Sequence, residues 1–144
     1  MGPEAEVGAD PTPLEITLGR VGDRWSLLVV DALLDEPRRF NELQAAISGI
    51  ATNVLAQRLR HLAAEGVVLA RPYSARPLRY TYELTRAGHE LAGALRLLAQ
   101  WSSAHETGGA PTHAACGTPL DARWYCPTCE HEVDDADAAT LLYV

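Results

Sequence analysis

Two groups of side chains in this sequence have types and spacings that could do chemistry. The first lies near the C-terminus. His113-x2-Cys116-Gly117 is followed, after nine residues counted from Cys116, by Cys126-Pro127-Thr128-Cys129. The pattern offers four soft or borderline ligands in two pairs, and a tetrahedral set of three cysteines and one histidine is an ordinary structural zinc site. An x2-Cys-Gly turn and a Cys-Pro-x-Cys turn are both of zinc-knuckle type. Four protein ligands leave no open coordination position, so such a site serves structure rather than catalysis. All three cysteines of the chain fall within fourteen residues, and in a reducing compartment that clustering favours a metal over a disulfide. Zinc held by His113, Cys116, Cys126 and Cys129 is the expectation. His131 also lies close to Cys129 and is the alternative fourth ligand. A redox Cys-x-x-Cys and an unmetallated tail are the competing readings.

The second group sits in the middle of the chain, on a stretch with helical spacing. Leu55, Leu59 and Leu62 fall at i, i+4 and i+7 and form the stripe that packs inward. Counting 100° per residue, the opposite face carries Asn53, Gln57, Arg60 and Ala64, with Ala56 and His61 at its edges. Asn and Gln can pair bidentately with adenine, and Arg with guanine O6 and N7. A polar face opposite a Leu stripe also describes any solvated surface helix, so the neighbouring elements have to decide. Arg58 lies beside the stripe, where its stem can pack and its head reach a phosphate. Thr52, at the helix start, can cap it or donate to a phosphate. Arg76, within Ser74-Ala75-Arg76-Pro77, is placed to enter a minor groove or touch phosphate, and Arg71 and Arg79 flank it. Arg38 and Arg39 come earlier, either against the DNA backbone or paired with Glu36 and Glu42.

The elements that must position these residues are legible around them. Residues 38–47 read as a helix, Ser48-Gly49-Ile50 as a turn, and 52–62 as a second helix stopped by Gly66. Strands at 67–71 and 80–84 enclose a loop bearing Pro and Arg. A helix offered to a groove beside a basic hairpin is the layout of a winged helix. Upstream, residues 1–12 read as a loose tail and Pro13 opens a helix to Val21. Gly22 interrupts it, and Asp23 fits as N-cap of a helix over 24–34. That helix is apolar almost all round, which predicts a central, buried position; Asp35-Glu36-Pro37 ends it. After Thr85 a helix runs to Trp101. Leu91, Leu95 and Leu98 share one face, and Ala94, Leu97 and Trp101 widen it beyond what one surface needs, so a second subunit is expected there. Residues 102–112 read as a linker and 113–144 as the metal-binding tail. The predicted fold class is mainly α with a small β-hairpin wing: a winged helix-turn-helix domain over 13–101, plus the tail.

A net charge of −7 looks wrong for a nucleic-acid binder, but it is unevenly divided. Residues 1–19 hold four acids and no base, and 102–144 hold seven acids and one Arg. Residues 20–101 hold eleven Arg against eight acids, a net of about +3, and the phosphate-facing charge is expected there. Every basic residue is Arg, which suits bidentate contacts but also fits genomic composition bias. No apolar run approaches the ~20 residues of a membrane span. No basic cluster of a signal peptide opens the chain, so a cytoplasmic protein is expected.

The run Val21-Gly22-Asp23-Arg24-Trp25, then Pro37-Arg38-Arg39-Phe40-Asn41-Glu42-Leu43, Gly49-Ile50, Val54-Leu55-Ala56-Gln57-Arg58-Leu59, Glu65-Gly66-Val67-Val68, Pro77 and Tyr82-Glu83-Leu84-Thr85-Arg86-Ala87-Gly88 resembles the HxlR-type winged-helix transcriptional regulators, relatives of the MarR group. The resemblance covers about residues 12–101. It implies a homodimer, formed through N- and C-terminal helices, that binds an inverted-repeat operator in double-stranded DNA; repression is expected because occlusion requires no further contact surface. It leaves open a small-molecule effector. Many members sense oxidants with a Cys just before the Pro of the first helix. Here that residue is Thr12, which excludes a thiol switch at that point. The usual Ser at the start of the recognition helix is Ala51, so capping is expected to pass to Thr52. Two other functions compete. One is a winged-helix module that binds protein, which would not need Arg71, Arg76 and Arg79 together. The other is a thiol oxidoreductase on Cys126 and Cys129, which lacks the βαβ context such motifs need. No enzyme activity is expected.

Overall fold

The computed structural model describes residues 10–107 and 110–133, and the chain divides into two compact units, 1–92 and 93–144. Most of the tail expected at 1–12 lies outside the described residues. The division at Ala92 precedes the stretch expected as a linker.

In the first unit, α1 (Pro13–Val21) begins with a reciprocal cap. Thr12 Oγ1 accepts from the Glu15 N–H at 3.2 Å, and the Glu15 carboxylate accepts from the Thr12 N–H at 2.7 Å. Glu15 is held below the usual carboxylate range by these bonds. Helix α2 (Arg24–Ala32) starts on Asp23, whose carboxylate accepts from the Trp25 and Ser26 N–H groups, as its N-cap position predicts. The helix is central but not buried all round. Ser26, Val29 and Val30 face the core, whereas Leu28 is exposed. It also ends two residues earlier than expected.

Strand β1 (Arg38–Arg39) occupies what was expected to be the start of a helix, so α3 begins only at Phe40 (Phe40–Ala46). Arg38 and Arg39 pair with Tyr82 and Thr81, more than forty residues away in the chain. Helix α4 (Thr52–Ala64) follows and ends on a left-handed Gly66, φ 71°. There the Val67 N–H bonds Leu62 O at 2.9 Å and the Gly66 N–H bonds Ala63 O at 3.1 Å. This is the paired closure for which a glycine is the least strained residue. Strands β2 (Val68–Ala75) and β3 (Leu78–Leu84) make a longer hairpin than Pro72 and Pro77 suggested. The sheet order is β1-β3-β2, so Pro72 sits on an edge strand, next to a register irregularity between Pro72 and Ser74. That is where a strand tolerates proline. Leu33, Leu43, Leu55, Leu62, Val29, Val30 and Val68 are nearly fully buried and form the core under α2, α3, α4 and the hairpin root.

Helix α5 (Arg86–Glu90) is capped by Thr85, whose Oγ1 accepts from the Gly88 N–H and donates to Gly66 O at 2.6 Å. The Thr85 N–H bonds Val67 O. A Cβ on Gly88 would lie 2.3 Å from that same carbonyl, so only glycine fits there.

The second unit begins with most of α6 (Ala92–Ser102). The single helix expected over 86–101 is therefore two helices, separated at Leu91. A π-helical turn, Ser103–Thr107, opens the stretch expected as linker. Further on, a Thr112–Pro119 bridge closes a turn, and β4 (Trp124–Cys126) pairs antiparallel with β5 (His131–Val133). Among the described residues, no helix is long and apolar enough to cross a membrane.

Candidate nucleic-acid interface

Helix α4 presents two opposed faces. Leu55, Leu59 and Leu62 are buried, and burying each such side chain contributes about 1.5–3 kcal/mol. That stripe fixes the rotation of the helix, and Asn53, Gln57 and Arg60 are accordingly exposed. Among the described residues none of these three is committed to a hydrogen bond or ion pair, so all three are available to base edges. Thr52 does not take over the N-cap. Ala51 holds that position without a side-chain bond, and Thr52 Oγ1 instead accepts from Gln44 Nε2 at 2.7 Å. This bond ties the two helices of the motif together and leaves the first N–H groups of α4 without a side-chain cap.

The remaining predicted contacts separate into free and engaged groups. Arg76 and Arg79 are exposed, Arg76 at the hairpin tip beside Pro77. Arg71 is ion-paired with Glu83 across the hairpin. Arg58 does not extend to solvent: its guanidinium reaches Asp23 at 3.2 Å and fastens α4 to the start of α2. Burial works against the Asp23 carboxylate, but hydrogen bonds from Ser26 and Arg58 outweigh it and hold its pKa below the usual value. His61 turns to α1, its Nε2 lying 2.7 Å from Arg20 O. Arg38 Nε donates to Ala32 O at 2.7 Å and its other end meets Glu36 at 3.5 Å. Arg39 lies over the Tyr73 ring, 4.7 Å from its centroid, and its N–H bonds Glu42.

Sequence reasoning missed three of these attachments. Arg20 pairs with Glu65 at 2.6 Å, Asp23 with Arg58, and Arg39 with Tyr73. Each partner is more than thirty residues distant in the chain, and no local period signals it.

Among the described residues, large apolar side chains are exposed on α1 and on α6. Leu14, Ile16 and Leu18 of α1 are 66%, 50% and 54% exposed. On α6, where no residue is buried, Leu97, Leu98 and Trp101 are exposed too.

In the second unit the predicted metal ligands stand as two pairs. His113 Nδ1 lies 3.3 Å from Cys116 Sγ, and Cys116 also meets Thr118 Oγ1 at 3.2 Å. Hydrogen bonding to Thr118 keeps the Cys116 thiol below its ordinary pKa. Cys126 and Cys129 are hydrogen-bonded to one another, and the N–H groups of Cys129 and Thr128 point at the Cys126 sulfur. Those contacts lower the Cys126 pKa and raise that of Cys129. Among the described residues, no three His, Cys, Asp or Glu side chains gather in one metal-sized cluster. His131 stands opposite Cys126 in the ladder, with Nδ1 3.4 Å from Cys129 O. Trp124 and Tyr125 are exposed, and Arg123 bridges Asp121 and Glu132.

A helix-turn-helix with an exposed polar recognition face and an Arg-bearing hairpin beside it defines a winged-helix, DNA-binding transcriptional regulator, a class without enzymatic activity. The profile of the HxlR-like helix-turn-helix family matches residues 20–108. The chain belongs to that family. An HTH-type transcriptional regulator of Mycobacterium tuberculosis is 36% identical over 118 residues, covering 78% of this chain and 74% of the relative. The HTH-type regulator YvaP of Bacillus subtilis is 38% identical over 80 residues, covering 56% of this chain and 74% of its own. Among solved structures, the HTH-type regulator ytcD superposes with a TM-score of 0.63 at 31% identity, covering 67% of this chain and 99% of that one. The redox regulator HypR in its oxidized form gives 0.60 at 29%, covering 65% and 96%.

Proposed function

We propose that this protein is a homodimeric repressor that reads an inverted-repeat operator with α4 of each subunit. The carrying observation is the α4 face: Asn53, Gln57 and Arg60 are exposed and uncommitted, opposite a stripe whose burial fixes their direction. Two such helices entering successive major grooves stand about 34 Å apart, which requires a two-fold assembly. The exposed apolar side chains of α1 (Leu14, Ile16, Leu18) and, separately, of α6 (Leu97, Leu98, Trp101) support that assembly, since exposed apolar surface marks an interaction site. Repression follows from occlusion, which needs no further contact surface for polymerase.

Selection of bound fragments from the host genome yields the operator. On it, Gln57→Ala and Arg60→Ala are each expected to cost about 1–3 kcal/mol and to relax base preference at one position per half-site. An Arg60→Ala protein with unchanged affinity and preference would show that another face reads the DNA. Sedimentation supplies the second test, with a dimer expected at micromolar concentration and a monomer on introducing charge at Leu98 or Trp101.

A further inference from the structure

The second unit carries a construction that DNA reading does not use. Between residues 110 and 133 every side chain is exposed except Cys126 and Val133, which are only half-buried. The segment therefore has no apolar core. Its regular structure is a two-stranded hairpin of three residues per strand, and an isolated hairpin is marginal in water. Domains this small ordinarily need a disulfide or a metal, and all three cysteines here are free thiols.

The turns are nevertheless shaped alike. In the first, the Cys116 and Gly117 N–H groups bond His113 O at 3.2 and 2.7 Å, and Gly117 closes the turn at φ 70°. In the second, the Glu130 N–H bonds Cys126 O at 2.8 Å, and Glu130 closes it at φ 56°. A non-glycine residue rarely adopts that conformation, and it persists only when something over-determines it. Each turn thus holds two ligand atoms three residues apart on one side, followed by a left-handed residue.

We propose that this unit is a zinc module in which one Zn2+ takes His113, Cys116, Cys126 and Cys129 and closes the first turn onto the second. Each turn presents a preformed half-site; the ion supplies the contact that the absent core does not. The nine residues between Cys116 and Cys126 are ample to bring the pairs together, since an extended chain spans about 3.3 Å per residue. Three thiolates and an imidazole suit Zn2+ in a tetrahedron with no position left for water. His113 is the fourth ligand because its ring already faces Cys116, whereas His131 Nδ1 is turned to the Cys129 carbonyl.

Metal analysis of the full chain, purified without chelator and gel-filtered, tests this directly. The expected result is one zinc per chain, with alkylation of all three thiols slowed and then restored by chelation. Cobalt exchanged for zinc should show the ligand-field absorption of a tetrahedral thiolate site. Cys126→Ser and His113→Ala should lose the metal, and His131→Ala should keep it. Near-zero metal with three freely titratable thiols overturns the site, as does a Cys126–Cys129 disulfide in the freshly purified protein. Metal retained by His113→Ala and lost by His131→Ala overturns the ligand set. Operator binding by the chelated protein provides the fold control, because the winged helix does not contain these residues.

Discussion

The first unit and the C-terminal tail are built on opposite principles. In the winged helix, Val29, Leu43, Leu55 and Leu62 are buried within a core drawn from several elements, and the reactive-looking side chains lie outside it. In the tail His113, Cys116 and Cys129 are exposed and Cys126 is half-buried, and among the described residues no apolar cluster stands beneath them. A core fixes many surface positions at once and tolerates changes among them. A segment without one depends on a few side chains, each indispensable. Mutational sensitivity should therefore be spread over the interior of one unit and, on the proposed zinc site, concentrated in its four ligands in the other.

The largest expected effect separates the two. Leu55→Ala should destabilise the winged helix by about 2–5 kcal/mol, measured by denaturant unfolding. The same variant should keep the zinc proposed for the tail. Loss of both together would mean that the units are not energetically separate.

A smaller effect is expected at the α2 N-cap. Asp23→Ala should cost about 1 kcal/mol, and Asp23→Asn, which can still cap but cannot pair with Arg58 as an anion, should cost less. Because folding lowers the Asp23 pKa, its contribution is complete above the unfolded value near 3.9 and disappears as pH falls through the folded one. The acid limb of the stability curve should be flatter in Asp23→Ala; an unchanged limb would remove Asp23 from that role. The tail should not respond to either variant.

The smallest change lies at the hairpin tip. Arg76→Ala should weaken binding to all sequences about equally and reduce the slope of log affinity against log salt by about 1. A change in base preference instead would make Arg76 a reader of sequence.

Much of the fold was legible because its signals are local. The Leu55, Leu59 and Leu62 stripe, the Asp23 cap and the Gly66 stop each depend on residues within one or two turns of the helix. Strand β1 was not legible, since Arg38 and Arg39 become a strand only by pairing with Thr81 and Tyr82. The hairpin was read too short because Pro72 and Pro77 are loop signals; an edge position and a register irregularity accommodate the first. The break at Leu91 is hidden because the apolar period passes straight through it. At the site, the outward face of α4 followed from periodicity. The engagement of Arg58 by Asp23 and of His61 by Arg20 did not, because those partners are set by how α1 and α2 pack against α4. The spacing of His113, Cys116, Cys126 and Cys129 was plain, but spacing alone does not give the conformation of either turn.

The junction at Thr85 has a mechanical consequence. One residue bonds the carbonyls of Gly66 and Val67 and caps α5, while Gly88 presses against Val67 O with no room for a methyl group. The end of the recognition helix, both roots of the wing and the start of α5 therefore meet in a single rigid joint. A torque applied to α5 is delivered to α4 and the hairpin as one body, so the two tilt together or not at all.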